Sequence, residues 1–180
     1  MIDAMKELLV LGAGGFIGRR FIEMFADKYD IIPIVSDADG TNPDLSNYDE
    51  LLPIVEICRS YARLFNVIGP FQNENFFIPT LIRRVLKFKN NEIAEVPLKT
   101  LNAMREFIYI DDVCSAIDVL IEKGESGGIY NVCSGEGASI EKVIEIIKKL
   151  LNTPELPVNT ADDHVRGEIW LLIYPARGCW

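Results

Sequence analysis

The chain has 180 residues, of which 49% are hydrophobic and 25% charged, and its 27 acidic against 18 basic side chains leave a net charge of −9. That length suits one domain with a real core, and the acidic balance argues against nucleic acid or an anionic membrane as partner. An anionic small ligand stays open, because arginines and helix N-termini hold phosphate locally.

In chain order, "ELLVLG" (7–12) reads as a short, fully buried strand, followed by a helix over 16–28 with Phe16, Ile17, Phe21, Met24 and Phe25 near helical spacing. "IIPIV" (31–35) is a second strand, with Pro33 placing it near an edge. "SDADGTNPDLSN" is a loop and "YDELLPIVEICRS" (48–60) a helix, with Pro53 tolerable only in its first turn. A strand "RLFNVIG" (63–69) comes next, with no Gly, Asn or Asp before it, where an α/β chain normally places a loop of about 2–6 residues.

"NFFIPTLIRRVLKFK" gives a helix restarting at Pro79, "EIAEVPL" a candidate strand, and "EFIYI" (106–110) a strand. Asp111-Asp112 opens a helix, where acids complement its dipole, and "GGIYNVCSG" (127–135) is a glycine-bounded strand. "SIEKVIEIIKKLL" (139–151) is an amphipathic helix capped by Ser139, and the tail holds one or two short strands. Strands alternating with helices give an α/β fold with a Rossmann-like parallel sheet.

The sharpest chemical signal is "GAGGFIG", with Gly12, Gly15 and Gly18 in G-x-x-G-x-x-G spacing after a strand and opening a helix. Gly12 permits a tight turn, Gly14 and Gly15 let the backbone approach a pyrophosphate, and Gly18 lets helix and strand pack closely. The helix N-terminus adds N–H donors and partial positive charge. Dinucleotide binding is the expectation; the alternative is a tight turn with no ligand. An acid taking the ribose hydroxyls belongs about 20 residues on. Asp37 and then Asp39 stand there and would favour NAD, unless both are merely loop acids, and Ser36 leaves NADP open.

Four cysteines, Cys58, Cys114, Cys133 and Cys179, stand at long irregular gaps and read as buried reduced thiols rather than a metal site. No apolar run reaches the roughly 18 residues of a membrane span and no signal peptide is evident, so a cytoplasmic setting is expected. His164 is the sole histidine, assigned a surface or packing role, and Asp162-Asp163 beside it lacks metal-site spacing. The pair Phe76-Phe77 reads as core.

"LVLGAGGFIGRRFIE", "DLSNYDELLP", "RLFNVIGPFQNENFFIPTLIRR", "NAMREFIYIDDVCSAI" and "GGIYNVCSG", in this order, resemble the extended short-chain dehydrogenase/reductase family of nucleotide-sugar epimerases, dehydratases and reductases. "NAMREFIYIDDV" and "YNVCSG" look most like the reductases of GDP-4-keto-6-deoxymannose and their dehydratase relatives. The resemblance implies an NAD or NADP cofactor and a nucleoside-diphosphate sugar. Gly12, Gly15 and Gly18 would hold the pyrophosphate, Phe16 and Ile17 would donate N–H groups there, and Asp44-Leu45 would meet adenine. Asn66 would touch the sugar nucleotide's diphosphate, and Arg105 would pair with its phosphates, a bidentate task Lys performs less well. Arg166 would be a second such arginine, and Phe77 would lie beside this site. Two readings stand for Arg105, the second being a surface ion pair with Glu106, Asp111 or Asp112; Asn66 has the alternative of a loop-end hydrogen bonder.

The resemblance also implies a catalytic Tyr-x-x-x-Lys pair, in which the Tyr moves the carbinol proton. Tyr29, Tyr48, Tyr61, Tyr109, Tyr130 and Tyr174 are followed at +4 by Pro33, Leu52, Phe65, Val113, Ser134 and Gly178, so no catalytic residue is assigned. Tyr61 looks like a different family tyrosine, on the helix downstream of that pair. Several strand–helix units of the family, on the order of 90 residues, have no counterpart between "DLSNYDELLP" and "ICRSYA". The expected organisation is a shortened cofactor part (1–62), then the remaining strands with a smaller C-terminal substrate-binding part (63–180). Removal of central strands predicts exposed edges and self-association, another partner, or marginal stability.

Overall fold

The computed structural model describes residues 5–35, 61–98 and 101–160. Its elements in chain order are β1 (Lys6–Leu11), α1 (Phe16–Phe25), β2 (Tyr29–Ile34), β3 (Tyr61–Leu64), β4 (Asn66–Ile68), α2 (Phe77–Lys89), β5 (Val96–Leu98), β6 (Met104–Tyr109), α3 (Ile110–Lys123), β7 (Ile129–Val132), β8 (Gly137–Ser139), α4 (Ile140–Leu151) and β9 (Val158–Thr160). They divide into two compact units, the first holding described residues 5–35, 61–69 and 108–132, the second 70–98, 101–107 and 133–160.

In the first unit β1 and β2 pair in parallel, from Lys6 opposite Tyr29 to Leu11 opposite Ile34, with α1 as the crossover. Pro33 stands opposite Val10, exposed, in a strand with one neighbour among the described residues. β3 and β7 form a second parallel pair, Tyr61 opposite Ile129 through Leu64 opposite Val132. β1 is only half-buried rather than fully buried as its sequence suggests, and its sole paired neighbour among the described residues is β2.

Several boundaries differ from expectation. The strand expected over 63–69 is two short strands, β3 and β4, separated at Phe65. Tyr61, expected on a helix, opens β3 and donates its N–H to Gly128 O at 2.8 Å. The first helix stops at Phe25, where Lys28 N turns back to Phe25 O. α2 starts two residues before Pro79, whose place in the first turn lies where helical N–H groups lack intrahelical acceptors. β8 was not foreseen; its three residues, Gly137, Ala138 and Ser139, carry no strand signal and pair only through register with β6. The helix expected over 48–60 lies outside the described residues.

α1 and α3 share the first unit's core, where Phe21, Tyr29, Ile110 and Cys114 are buried together. The opposite flank of α3 buries Val113, Ala116 and Leu120 with Ile108 and Val132. Cys114 and Cys133 are buried and in no disulfide, as expected; Cys58 and Cys179 lie outside the described residues.

The second unit packs α2 and α4 over β5 and β9, burying Leu81, Val85, Val96, Ile144 and Ile147. β5 and β9 run parallel, while Met104–Glu106 of β6 pairs antiparallel with β8. α4 is capped as its sequence predicts: Ser139 Oγ accepts from Lys142 N at 3.1 Å, and Lys148 and Lys149 occupy the last turn. No described helix is long and apolar enough to cross a membrane.

Candidate dinucleotide-binding site

The glycine turn is built by β1, α1 and the end of β2. Gly12 N and Ala13 N both donate to Ile34 O, at 3.0 and 3.1 Å, so the turn leaves β1 and is held against the last residue of β2. Gly12 has φ +79°, a left-handed conformation that a side chain resists. Gly15 N then closes the turn on Gly12 O at 2.9 Å, and Gly15 becomes the N-cap of α1.

Gly18 faces the same turn from within α1. A Cβ there would collide with Gly12 O and stand 3.0 Å from Ala13 Cα, so only glycine lets the helix lie this close to the strand exit. A Cβ on Gly15 would stand 3.1 Å from Gly12 O, whereas one on Gly14 would meet only the Val35 side chain, at 2.9 Å. Gly12, Gly14 and Gly15 are all exposed, so an open backbone surface faces outward.

The start of α1 suits an anion. Gly15 brings no side-chain cap and the first turn holds no acidic residue. Phe16 and Ile17 occupy the first two helical positions, where N–H groups have no intrahelical acceptor. With the helix dipole they offer donors and partial positive charge to a phosphate. These features fit a dinucleotide pyrophosphate: the backbone is exposed, the donors are uncapped, and no carboxylate of the first turn stands in the way.

Behind this turn α1 is fixed to α3. Arg20 Nε and Nη2 meet Asp111 Oδ1 and Oδ2 at 2.6 and 2.8 Å, and Arg20 Nη1 reaches Glu23 Oε2 at 3.1 Å. The guanidinium holds the Asp111 carboxyl below the usual carboxylate range, chiefly by these hydrogen bonds, and Asp111 in turn raises the arginine. At the other end of α1, Tyr29 Oη donates to Asp118 Oδ1 at 2.6 Å while Lys28 bridges Asp118 and Glu122. Burial and this bond push the Tyr29 phenol up to about 12.

The other candidate residues are dispersed. Asn66 is exposed at the start of β4 in the first unit. In the second unit Arg105 is exposed on β6, its Nη1 donating to Met104 O at 2.8 Å. Two of its three suggested ion-pair partners are otherwise engaged: Glu106 accepts from Gly135 N at 2.8 Å, and Asp111 is held by Arg20. Phe76 and Phe77, expected in the core, are 58% and 39% exposed, because they precede the buried face of α2 that begins with Leu81. Asp37, Asp44, Leu45 and Arg166 lie outside the described residues, as do Asp39, His164 and the Asp162-Asp163 pair. Among the described residues no group of three or more potential metal ligands occurs. Arg19, not singled out by the sequence motifs, reaches the turn, with Nη2 3.4 Å from Gly14 O.

Residues 54–133 match the model of the NAD dependent epimerase/dehydratase family. The chain is similar to the GDP-6-deoxy-D-mannose reductase of Pseudomonas aeruginosa, 36% identical over 87 residues that cover 48% of this chain and 29% of that protein. It is likewise similar to the CDP-abequose synthase of Salmonella muenchen, 40% identical over 96 residues covering 52% and 31%. The chain thus spans less than a third of the length of these two relatives. Among solved structures it resembles RMD from Pseudomonas aeruginosa complexed with NADPH, at TM-score 0.68 and 18% identity over 87% of each chain. It also resembles the UDP-N-acetylglucosamine 4-epimerase of Methanobrevibacter ruminantium M1, at TM-score 0.69 and 16% identity over 88% of this chain and 86% of that one. These likenesses establish the Rossmann-like α/β fold, and the sequence matches bear out the resemblance to the extended short-chain dehydrogenase/reductases.

Proposed function

We propose that this relative of the NAD dependent epimerase/dehydratase family binds NAD or NADP through Gly12–Gly18 and a nucleoside-diphosphate sugar through Asn66, Phe77, Arg105 and Arg166. The observation that carries the cofactor assignment is the glycine turn: an exposed, uncapped helix N-terminus held to β2 by Ile34 O and closed by a glycine contact that no side chain fits. Phe16 and Ile17 N–H groups bind pyrophosphate oxygens; Asp37, Asp44 and Leu45 serve the adenosine end. Bound dinucleotide supplies the hydride acceptor or donor. The part at 1–62 carries the cofactor, and 63–180 the remaining strands and the sugar-nucleotide residues. Isothermal titration calorimetry with each dinucleotide tests the assignment; a folded sample that gives no heat with either rejects it.

A specific observation favours a second reading, a non-catalytic nucleotide-binding or interaction module. No tyrosine in the chain is followed at +4 by lysine, so the expected proton donor to the carbinol oxygen has no assigned side chain. Reductase and epimerase assays on rigorously purified chain separate the two: absence of turnover with retained dinucleotide binding supports the module, and turnover supports an enzyme using another proton donor. The side of β1 that has no neighbour among the described residues supports association with a second copy, which sedimentation analysis reads.

A further inference from the structure

The two consecutive arginines of α1 have different fates. Arg20 is committed to Asp111 and Glu23. Arg19 is exposed, and its guanidinium makes no ion pair among the described residues; its contact is the carbonyl of Gly14, 3.4 Å from Nη2. Gly14 itself overlies the end of β2, since a Cβ built on it would stand 2.9 Å from Val35 Cγ1. Among the described residues, a cation without a carboxylate partner therefore lies where the glycine turn meets the carboxyl end of β2.

In a dinucleotide-binding βαβ unit, the carboxyl end of the second strand is where the adenosine ribose and its 2′ position are read. A ribose carrying only hydroxyls calls for an acceptor there. A 2′-phosphate calls for a cation, and a guanidinium presents paired donors that match phosphate oxygens bidentately. From this geometry we infer that Arg19 determines cofactor specificity by binding the 2′-phosphate of a phosphorylated dinucleotide, so that the chain prefers NADP to NAD. This rests on the cofactor site proposed above, and it decides for NADP a choice that Asp37, as an acceptor for the ribose hydroxyls, would decide for NAD.

Titration calorimetry of the full chain with NADP⁺ and NAD⁺, wild type and Arg19→Ala, tests it. The expected result is tighter binding of NADP⁺ by about tenfold or more, the value of a charge-assisted contact, with Arg19→Ala reducing NADP⁺ to the NAD⁺ level and leaving NAD⁺ unchanged. Arg19→Lys should keep part of the preference, because charge remains while the bidentate fork is lost. Equal wild-type affinities overturn the inference while leaving the cofactor site intact. An equal loss for both dinucleotides in Arg19→Ala also overturns it, by placing the guanidinium on the pyrophosphate. Binding of neither by folded wild type rejects the site and the inference together.

Discussion

Arg20 and Asp111 form a bidentate pair, Nε to Oδ1 at 2.6 Å and Nη2 to Oδ2 at 2.8 Å, joining the helix behind the glycine turn to the first turn of α3. The partners stand 91 positions apart in the chain, and both side chains are about one-third exposed, at 38% and 33%. The pair fixes how α1 lies on α3, so the direction of its exposed N-terminus depends on a contact remote from the glycines.

Asp111→Asn should lower the melting temperature at neutral pH. The folded carboxyl is held below its ordinary value by Arg20. Its contribution is therefore complete above the unfolded pKa of about 3.9 and is lost as pH falls through the lower folded value. Thermal melts of wild type and variant should differ fully at neutral pH and converge in strong acid. A difference that grows on acidification would contradict this assignment.

Tyr29→Phe should destabilise the first unit by about 1.5–3 kcal/mol, the range for a hydrogen bond to a charged acceptor. Tyr29 is 3% exposed and its hydroxyl meets Asp118 at 2.6 Å, while its ring packs near Phe21 with centroids 6.3 Å apart. Phenylalanine keeps the ring packing and leaves the Asp118 carboxylate one donor short. Urea unfolding monitored by circular dichroism measures the difference.

Leu81→Ala should cost about 2–5 kcal/mol, as expected for emptying a packed leucine site. Leu81 is 1% exposed and lies in the cluster that joins α2 and α4 with β5. Because this cluster belongs to the second unit, dinucleotide binding by the fraction still folded should be unchanged. A parallel calorimetric titration checks that separation.

Cys114 should resist thiol reagents in the native chain. It is fully buried, and burial pushes its thiol up to about 11, so the reactive thiolate is scarce near neutral pH. Maleimide labelling followed by peptide mass spectrometry should find Cys114 modified only after denaturant is added.

The sequence was most informative where one local cause sets the structure. Gly12, Gly15 and Gly18 predicted the strand–turn–helix and its close approach, and Ser139 predicted the start of α4. Pro33 stands in a strand with one neighbour among the described residues. Long-range pairing was less legible. β1 has the apolar run of a buried strand but only β2 beside it among the described residues, because strand burial depends on neighbours that no local pattern encodes. The family resemblance puts Tyr61 on a helix, yet pairing with Ile129 draws it into β3. Arg19 and Arg20 are indistinguishable in sequence; only packing against α3 commits one to Asp111 and leaves the other at the turn.

The central claim, that Gly12–Gly18 is a dinucleotide cradle, is tested most directly by titrating NADP⁺ and NAD⁺ into wild type and Gly15→Val. Gly15 is exposed at the helix N-cap, with space for a Cβ only 3.1 Å from Gly12 O, so a branched side chain there would cover the backbone offered to pyrophosphate. Saturable one-to-one binding by wild type, abolished in a Gly15→Val variant with an unchanged circular dichroism spectrum, is the expected result. Unchanged binding by that variant, or none by folded wild type, would contradict it.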